Sequence, residues 1–291
     1  MPPRIPRRYP PPVNARIHDA ETSAPLPVAV TRVVQRRTGT TSHDMRDLVA
    51  CEVPVALHFN GLPFVVLMAT PCDLADLALG FSLSEALIER PGELRIDEIA
   101  ETVDGIAIRM TIPAARAEAL ADRAHNVVAH GGCGVCSNAG VDAVLRTPPR
   151  IASTLSFTEA ALHHALGALQ ARQPLNAATG ATHAAGFANR DGTLQLARED
   201  VGRHTALDKL IGAMAAAGID AGEGFAIVTS RASYELAMKA AQAAIPLLAA
   251  ISAPTTLAIA LAESAHLCLV GFARAGNCAV YAHPQRLVAT R

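Results

Sequence analysis

Phe225-Ala-Ile-Val-Thr229 leads directly into Ser230-Arg231-Ala-Ser233 and then into a helical pattern over residues 232–244. A short unbroken apolar run, a polar turn and a helix are what a strand buried on both faces requires, and this stretch decides the fold. The same unit recurs downstream. Residues 247–252 read as a strand, 255–265 as a helix and 267–273 as a strand, with a final strand at Ala279-Val-Tyr-Ala282. Such alternation means parallel pairing through right-handed crossovers, with helices on both faces of the sheet. Upstream, a helix over 203–217 precedes the quoted strand, and strands near 181–188 and 193–199 turn at Asn189-Arg-Asp-Gly192. Ser156-Phe-Thr-Glu159 has the form of a capping box and opens a helix to about Arg172. Residues 151–291 are therefore expected to form a layered α/β domain.

The N-terminal half reads differently. A strand over 28–36, a hairpin over 48–68 turning at Asn60-Gly61 and a second hairpin around Asp104-Gly105 indicate a small α+β domain over 28–130. Asp73 is expected to cap a helix running to about Ile88, and residues 114–124 form another. Residues 1–27, rich in proline and arginine, read as an extended tail, and 131–150 as a loop and linker. The uncharged stretch 240–262 is long enough to span a membrane. Pro246, Pro254, Thr255 and Thr256 divide it into helix end, strand, turn and helix start, so no membrane is expected.

A formal net charge of −1 over 291 residues argues against nucleic acid or an anionic membrane surface as partner. Six cysteines in a chain of this length do not make a secreted disulfide scaffold, which points to a reducing cytosol. Cys51 falls in phase with Val53, Val55 and Leu57, and Cys268 opens an apolar run, so both read as buried core thiols.

The remaining signal of chemistry is Gly131-Gly-Cys133-Gly-Val-Cys136-Ser-Asn-Ala-Gly140. Four glycines in ten residues make a loop that bends sharply and leaves both thiols accessible. A CxxC pair serves metal ligation, disulfide redox chemistry or sulfur handling by an activated thiolate. Structural zinc needs four ligands; His125 or His130 could add to the two thiols, but there is no second CxxC. The zinc-deaminase pattern is also missing, since glycine precedes Cys133 and His183 is followed by Ala-Ala.

In a sheet of this kind ligands bind beyond the carboxyl ends of the strands. The turns there carry Ser230 and Arg231, Ser252-Ala-Pro-Thr-Thr256, and Phe272-Ala273-Arg274-Ala275-Gly276-Asn277. Helix N-termini with adjacent guanidinium groups suit phosphate, so an anionic, nucleotide-like ligand is expected. In Arg198-Glu-Asp-Val-Gly-Arg-His204, Asp200 is placed to cap the following helix, and Asp208, one turn beyond His204, to orient its imidazole. His183 lies in a strand of small residues, where a ligand or another backbone can approach.

Taken together, these segments resemble the formate dehydrogenase accessory sulfurtransferases of the FdhD/NarQ type. The resemblance rests on Gly132-Cys-Gly-Val-Cys136, Thr179-Gly-Ala-Thr-His-Ala-Ala185, Arg198-Glu-Asp-Val-Gly-Arg-His204, Ser230-Arg-Ala-Ser-Tyr-Glu-Leu236 and Gly271-Phe-Ala-Arg274, and spans residues 28–288. It implies a three-layer α-β-α core like that of cytidine deaminase, without the zinc site. It also implies that Cys133, with Cys136 as its partner, accepts persulfide sulfur from a cysteine desulfurase. The sulfur would pass to the molybdenum bis(molybdopterin guanine dinucleotide) cofactor, bound as cargo at 272–277, for formate dehydrogenase. A homodimer follows from the same resemblance, while the absence of stoichiometric zinc is expected from the missing third and fourth ligands. Ser137 and Thr205 depart from the usual glycine and asparagine. The alternative is a non-catalytic cofactor carrier with structural or zinc-bound thiols.

Overall fold

The computed structural model describes residues 26–118 and 146–289. Strands β1 (Ala29–Thr38) and β2 (Thr41–Ala50) form a ribbon, and β3 (Val53–Phe59) and β4 (Leu62–Ala69) a hairpin. Helix α1 (Leu74–Ser84) precedes a second hairpin, β5 (Arg95–Thr102) and β6 (Gly105–Thr111). The last four strands make one sheet in the order β4-β3-β6-β5, parallel only between β3 and β6. Val55, Leu57, Ile106, Ile108 and Met110 on one face form a core with Leu77, Ala78 and Phe81 of α1. Asn60 and Gly61 both have positive φ, as a tight two-residue hairpin turn demands.

Three expectations change here. The strand at 28–36 is half of a ribbon whose second strand shows no alternation, because both faces are largely exposed; Val33 is 71% exposed. Asp73 stands at the N-cap of α1, but in a left-handed conformation, and its carboxylate makes no capping bond. Cys51 is only partly buried, since it lies in the link between β2 and β3 and outside the alternation of either. Residues 114–118 are helical, and the rest of the helix expected there lies outside the described residues.

In the layered domain β7 (Phe157–Thr158) precedes α2 (Glu159–Ala171), α3 (Pro174–Thr179), β8 (His183–Asn189) and β9 (Leu194–Asp200). Then come α4 (Arg203–Ala216), β10 (Gly224–Val228), α5 (Tyr234–Gln242), β11 (Leu247–Ala250), α6 (Thr256–Ala265), β12 (Cys268–Arg274) and β13 (Asn277–Ala282). A closing strand, β14 (Leu287–Val288), pairs with β7. The central sheet runs β13-β12-β11-β10-β8-β9, with β10, β11 and β12 parallel and the flanking strands antiparallel. Its pleat sends Phe225 and Ile227 toward Leu162 and Leu169 of α2, and Ala226 and Val228 toward Leu210, Leu236 and Leu261 of α4, α5 and α6. Helices thus cover both faces. The cap of α2 is Thr158, whose hydroxyl accepts from Ala161 N–H at 3.1 Å, two residues beyond the expected Ser156. Among the described residues no helix is long and apolar enough to cross a membrane.

The two units meet where α1 crosses α4. A Cβ on Gly80 would overlap the Asp208 carbonyl, and one on Gly212 would overlap that of Asp76, so the helix backbones touch. Charged groups flank the contact. Lys209, fully buried, reaches Asp200 at 2.6 Å and the Thr70 carbonyl at 3.0 Å. Lys239 lies 2.8 Å from Glu85 and 2.9 Å from Asp208, and Glu85 also receives Arg146 at 2.9 Å. Burial opposes the charge on Glu85, but Lys239 and Arg146 outweigh it and bring its pKa down to about 2.

Two outcomes follow from this junction. Gly80→Ala should destabilise the fold by about 3 kcal/mol in urea unfolding, because a backbone atom and not a flexible side chain blocks the methyl. A carboxylate with a depressed folded pKa stabilises above its unfolded value and loses that contribution as the pH falls toward the folded one. Stability should therefore decline from about pH 4.5 toward 2. Glu85→Gln should flatten that decline and cost about 2 kcal/mol at neutral pH, read from unfolding curves across the range.

Candidate functional site

The carboxyl ends of β10, β11 and β12 are adjacent, and the turns leaving them are hydrogen-bonded to one another. Ser252 N–H donates to Ser230 O at 3.4 Å, and Phe272 N–H to Ser252 O at 3.1 Å. Thr255 N–H donates to Ala232 O at 3.0 Å, and the Thr255 hydroxyl caps α6 by accepting from Ala258 N–H. The three turns singled out in the sequence are thus one continuous edge. Ser230 is buried and its hydroxyl donates to the Arg231 carbonyl at 3.0 Å, so it shapes the turn, whereas Arg231 is exposed.

At the far side of this edge the β12–β13 pairing shifts register between Gly271 and Arg274, a bulge of the kind that re-aims side chains. Phe272 sits inside it with φ 50° and 45% exposure. A bulky residue in the left-handed region is strained, and such strain persists only where the surroundings impose it. The preceding Gly271 is tightly enclosed: an added Cβ would lie 2.7 Å from Pro254 Cδ and 3.0 Å from the Tyr281 ring. Ala273 is buried and anchors the turn, while Arg274, Ala275, Gly276 and Asn277 are exposed, with Gly276 at φ 77°. An exposed aromatic ring and a guanidinium on a rigid turn can stack on a planar base and hold an anion.

Other sequence-derived candidates fare unevenly. Cys133 and Cys136 lie outside the described residues. Asp200 does not cap α4, whose N-cap is Gly202; its carboxylate instead accepts from Gly202 N–H, Thr70 N–H and Lys209. Asp208 does not orient His204, because its carboxylate faces Ser84 across the unit junction and Lys239 of the neighbouring α5. The partner of His204 is Glu235 of α5, at 2.6 Å, a pairing between separate helices that sequence spacing could not reveal. Cys268 is buried as expected, and burial pushes its thiol up to about 12. Cys72, which drew no attention in the sequence, lies 3.7 Å from Lys209, and burial raises its thiol to about 11, which leaves it un-ionised and unreactive near neutrality. The described residues contain no group of three or more His, Cys, Asp or Glu able to hold a metal ion. A shallow hollow lined by Ser156, His164, Arg190 and Asp191 lies beside the β8–β9 turn, at the opposite end of the sheet from this edge.

A layered α/β domain, a smaller α+β unit clamped against it and a strained turn at the strand ends define a mixed α/β protein of the open-sheet kind, with its candidate ligand groups at the strand carboxyl ends. The family model for FdhD/NarQ matches residues 50–288, and the chain belongs to that family. It is 57% identical over 268 residues to a sulfur carrier protein FdhD of Xanthomonas campestris pv. campestris, covering 92% of this chain and 95% of the relative. A sulfur carrier protein FdhD of Cupriavidus necator is 48% identical over 241 residues, covering 83% and 84%. A crystal structure from Desulfotalea psychrophila, assigned as a formate dehydrogenase accessory protein, superposes with a TM-score of 0.70 at 23% identity. It covers 90% of this chain and 100% of that one, a likeness of fold.

Gly271→Ala should force Pro254 or Tyr281 aside and loosen the turn. The expected result is a melting temperature lower by several degrees, with tryptic cleavage at Arg274 accelerated relative to wild type.

Proposed function

We propose that this protein carries sulfur for the maturation of formate dehydrogenase. One observation bears most of the weight: the Gly-rich Cys133-x-x-Cys136 segment lies in a chain 57% identical, over most of its length, to a sulfur carrier. In this reading the Cys133 thiolate attacks the outer sulfur of a persulfide on a cysteine desulfurase. A new S–S bond forms on Cys133 while the donor S–S bond breaks, and its electron pair leaves with the donor cysteine sulfur. An ordinary thiol, with a pKa of ~8.5, is only a few per cent ionised near neutrality, so the segment needs access more than burial. Cys136 serves as the neighbouring thiol.

The acceptor is the molybdenum bis(molybdopterin guanine dinucleotide) cofactor, held as cargo. The 272–277 turn, with Arg231 along the same edge, seats a guanine nucleotide half: Phe272 stacks on the base and Arg274 pairs with phosphate. Ser230 supports that seat from within. The protein works in the cytosol as a homodimer, with formate dehydrogenase as its client and no resident metal.

Mass spectrometry of protein incubated with a desulfurase and cysteine should show +32 Da steps that dithiothreitol removes and that vanish in Cys133→Ala. The same variant should fold normally yet fail to support formate dehydrogenase activity; full activity would end the sulfur-carrier reading. Calorimetric titration with GDP, standing for one cofactor half, should give binding weakened about ten- to a hundredfold by Arg274→Ala, or about 1.5–3 kcal/mol. Equal affinities would move the nucleotide seat elsewhere.

A further inference from the structure

At the same sheet end, three strand spacings (~14 Å) from β12, stands a group of side chains that sulfur carriage leaves unused. His183 opens β8, Arg203 and His204 open α4, and Ser233 and Glu235 stand at the start of α5. His204 Nε2 lies 2.6 Å from Glu235 Oε2 and 3.4 Å from the Ser233 hydroxyl. Two features are costly for the fold alone. Ser233 occupies the N-cap of α5 yet makes no capping bond, forgoing the stability such a bond gives a helix. The Nε of Arg203 is buried and meets no acceptor among the described residues. Folded proteins rarely leave such a group without a use. His183 is held below the ordinary histidine value by burial, and further by the charges of Arg203 and His204, which places the three groups within electrostatic reach of one another.

Among the groups named, a guanidinium, two imidazoles and a hydroxyl stand with one carboxylate, a donor-rich set. An oxyanion restores the balance: phosphate oxygens take bonds from a guanidinium in pairs, and the first turn of the 14-residue α4 adds its positive dipole end. We propose that His183, Arg203, His204 and Ser233 form a second anion seat, separate from the 272–277 turn, that takes the phosphate or pyrophosphate group of a ligand. Glu235 holds His204 in place and competes with the incoming anion for its proton. The seat does not depend on sulfur carriage.

Inorganic pyrophosphate titrated into the full chain, followed by calorimetry and by the histidine ring resonances, tests this. Saturable binding should raise the apparent pKa of His183, since the anion favours its charged form. Arg203→Met should weaken binding at least tenfold and Ser233→Ala severalfold. Glu235→Gln should tighten it, because the competing carboxylate is gone, an outcome that a merely structural role for Glu235 would not give. Arg274→Ala should leave it unchanged. Absence of saturable binding overturns the proposal, as does equal affinity in wild type, Arg203→Met and Glu235→Gln. Loss of binding in Arg274→Ala alone assigns the anion to the turn and overturns it too. If Arg203→Met does not fold, His204→Gln and Glu235→Gln decide.

Discussion

The contact between α1 and α4 is the constraint on which the rest of the molecule depends. Two helix backbones touch at Gly80 and Gly212, an approach open only to residues without a Cβ, and this draws Lys209 and Lys239 out of water. A buried ammonium without a partner is too costly to keep, so the two lysines are matched by Asp200, Asp208 and Glu85. Such pairs contribute less to stability than to uniqueness of arrangement. Any slip of one unit against the other would strand a charge in a medium that cannot solvate it. Glu85 comes from the small unit and Lys239 from the layered one, so the docking is specified from both sides.

From that fixed junction the geometry passes to the strand ends. α4 is held by the crossing, its first turn carries Arg203 and His204, and α5 brings Glu235 to meet His204. The lateral hydrogen bonds from Ser230 to Ser252 to Phe272 then extend the edge across β10, β11 and β12. A ligand lying along this edge would meet groups on elements that are each held by the sheet or by the charged junction, and so would find them in position before it arrives.

The layered domain was legible because its strands are short apolar runs separated by helices, a pattern dictated by burial on both faces; Phe225–Val228 and Leu247–Ala250 illustrate it. The Asn60-Gly61 turn was legible for a local reason, since both residues adopt positive φ, whereas the second hairpin turns one residue earlier than read, at Val103-Asp104, with Gly105 opening β6. What escaped reading was tertiary or lacked a pattern. The ribbon from 29 to 50 buries too little for alternation to appear; Asp208 finds Lys239 on a separate helix, and Lys239 finds Glu85 across the unit junction. Of the site, the strand-end turns could be placed from topology, but the bulge and the conformation of Phe272 could not. They adjoin a close approach of Pro254 and Tyr281 to Gly271, contacts no local pattern reveals.

The left-handed backbone at Phe272 has a consequence for how this protein can change. Glycine would relieve the strain there at no steric cost, so thermal robustness alone favours discarding the aromatic ring. A laboratory lineage selected only for heat resistance should drift toward glycine or asparagine at position 272, and one selected for binding through that ring, the role proposed for it, should not. Retention or loss of the ring under each regime would measure how much stability the left-handed Phe272 costs the fold.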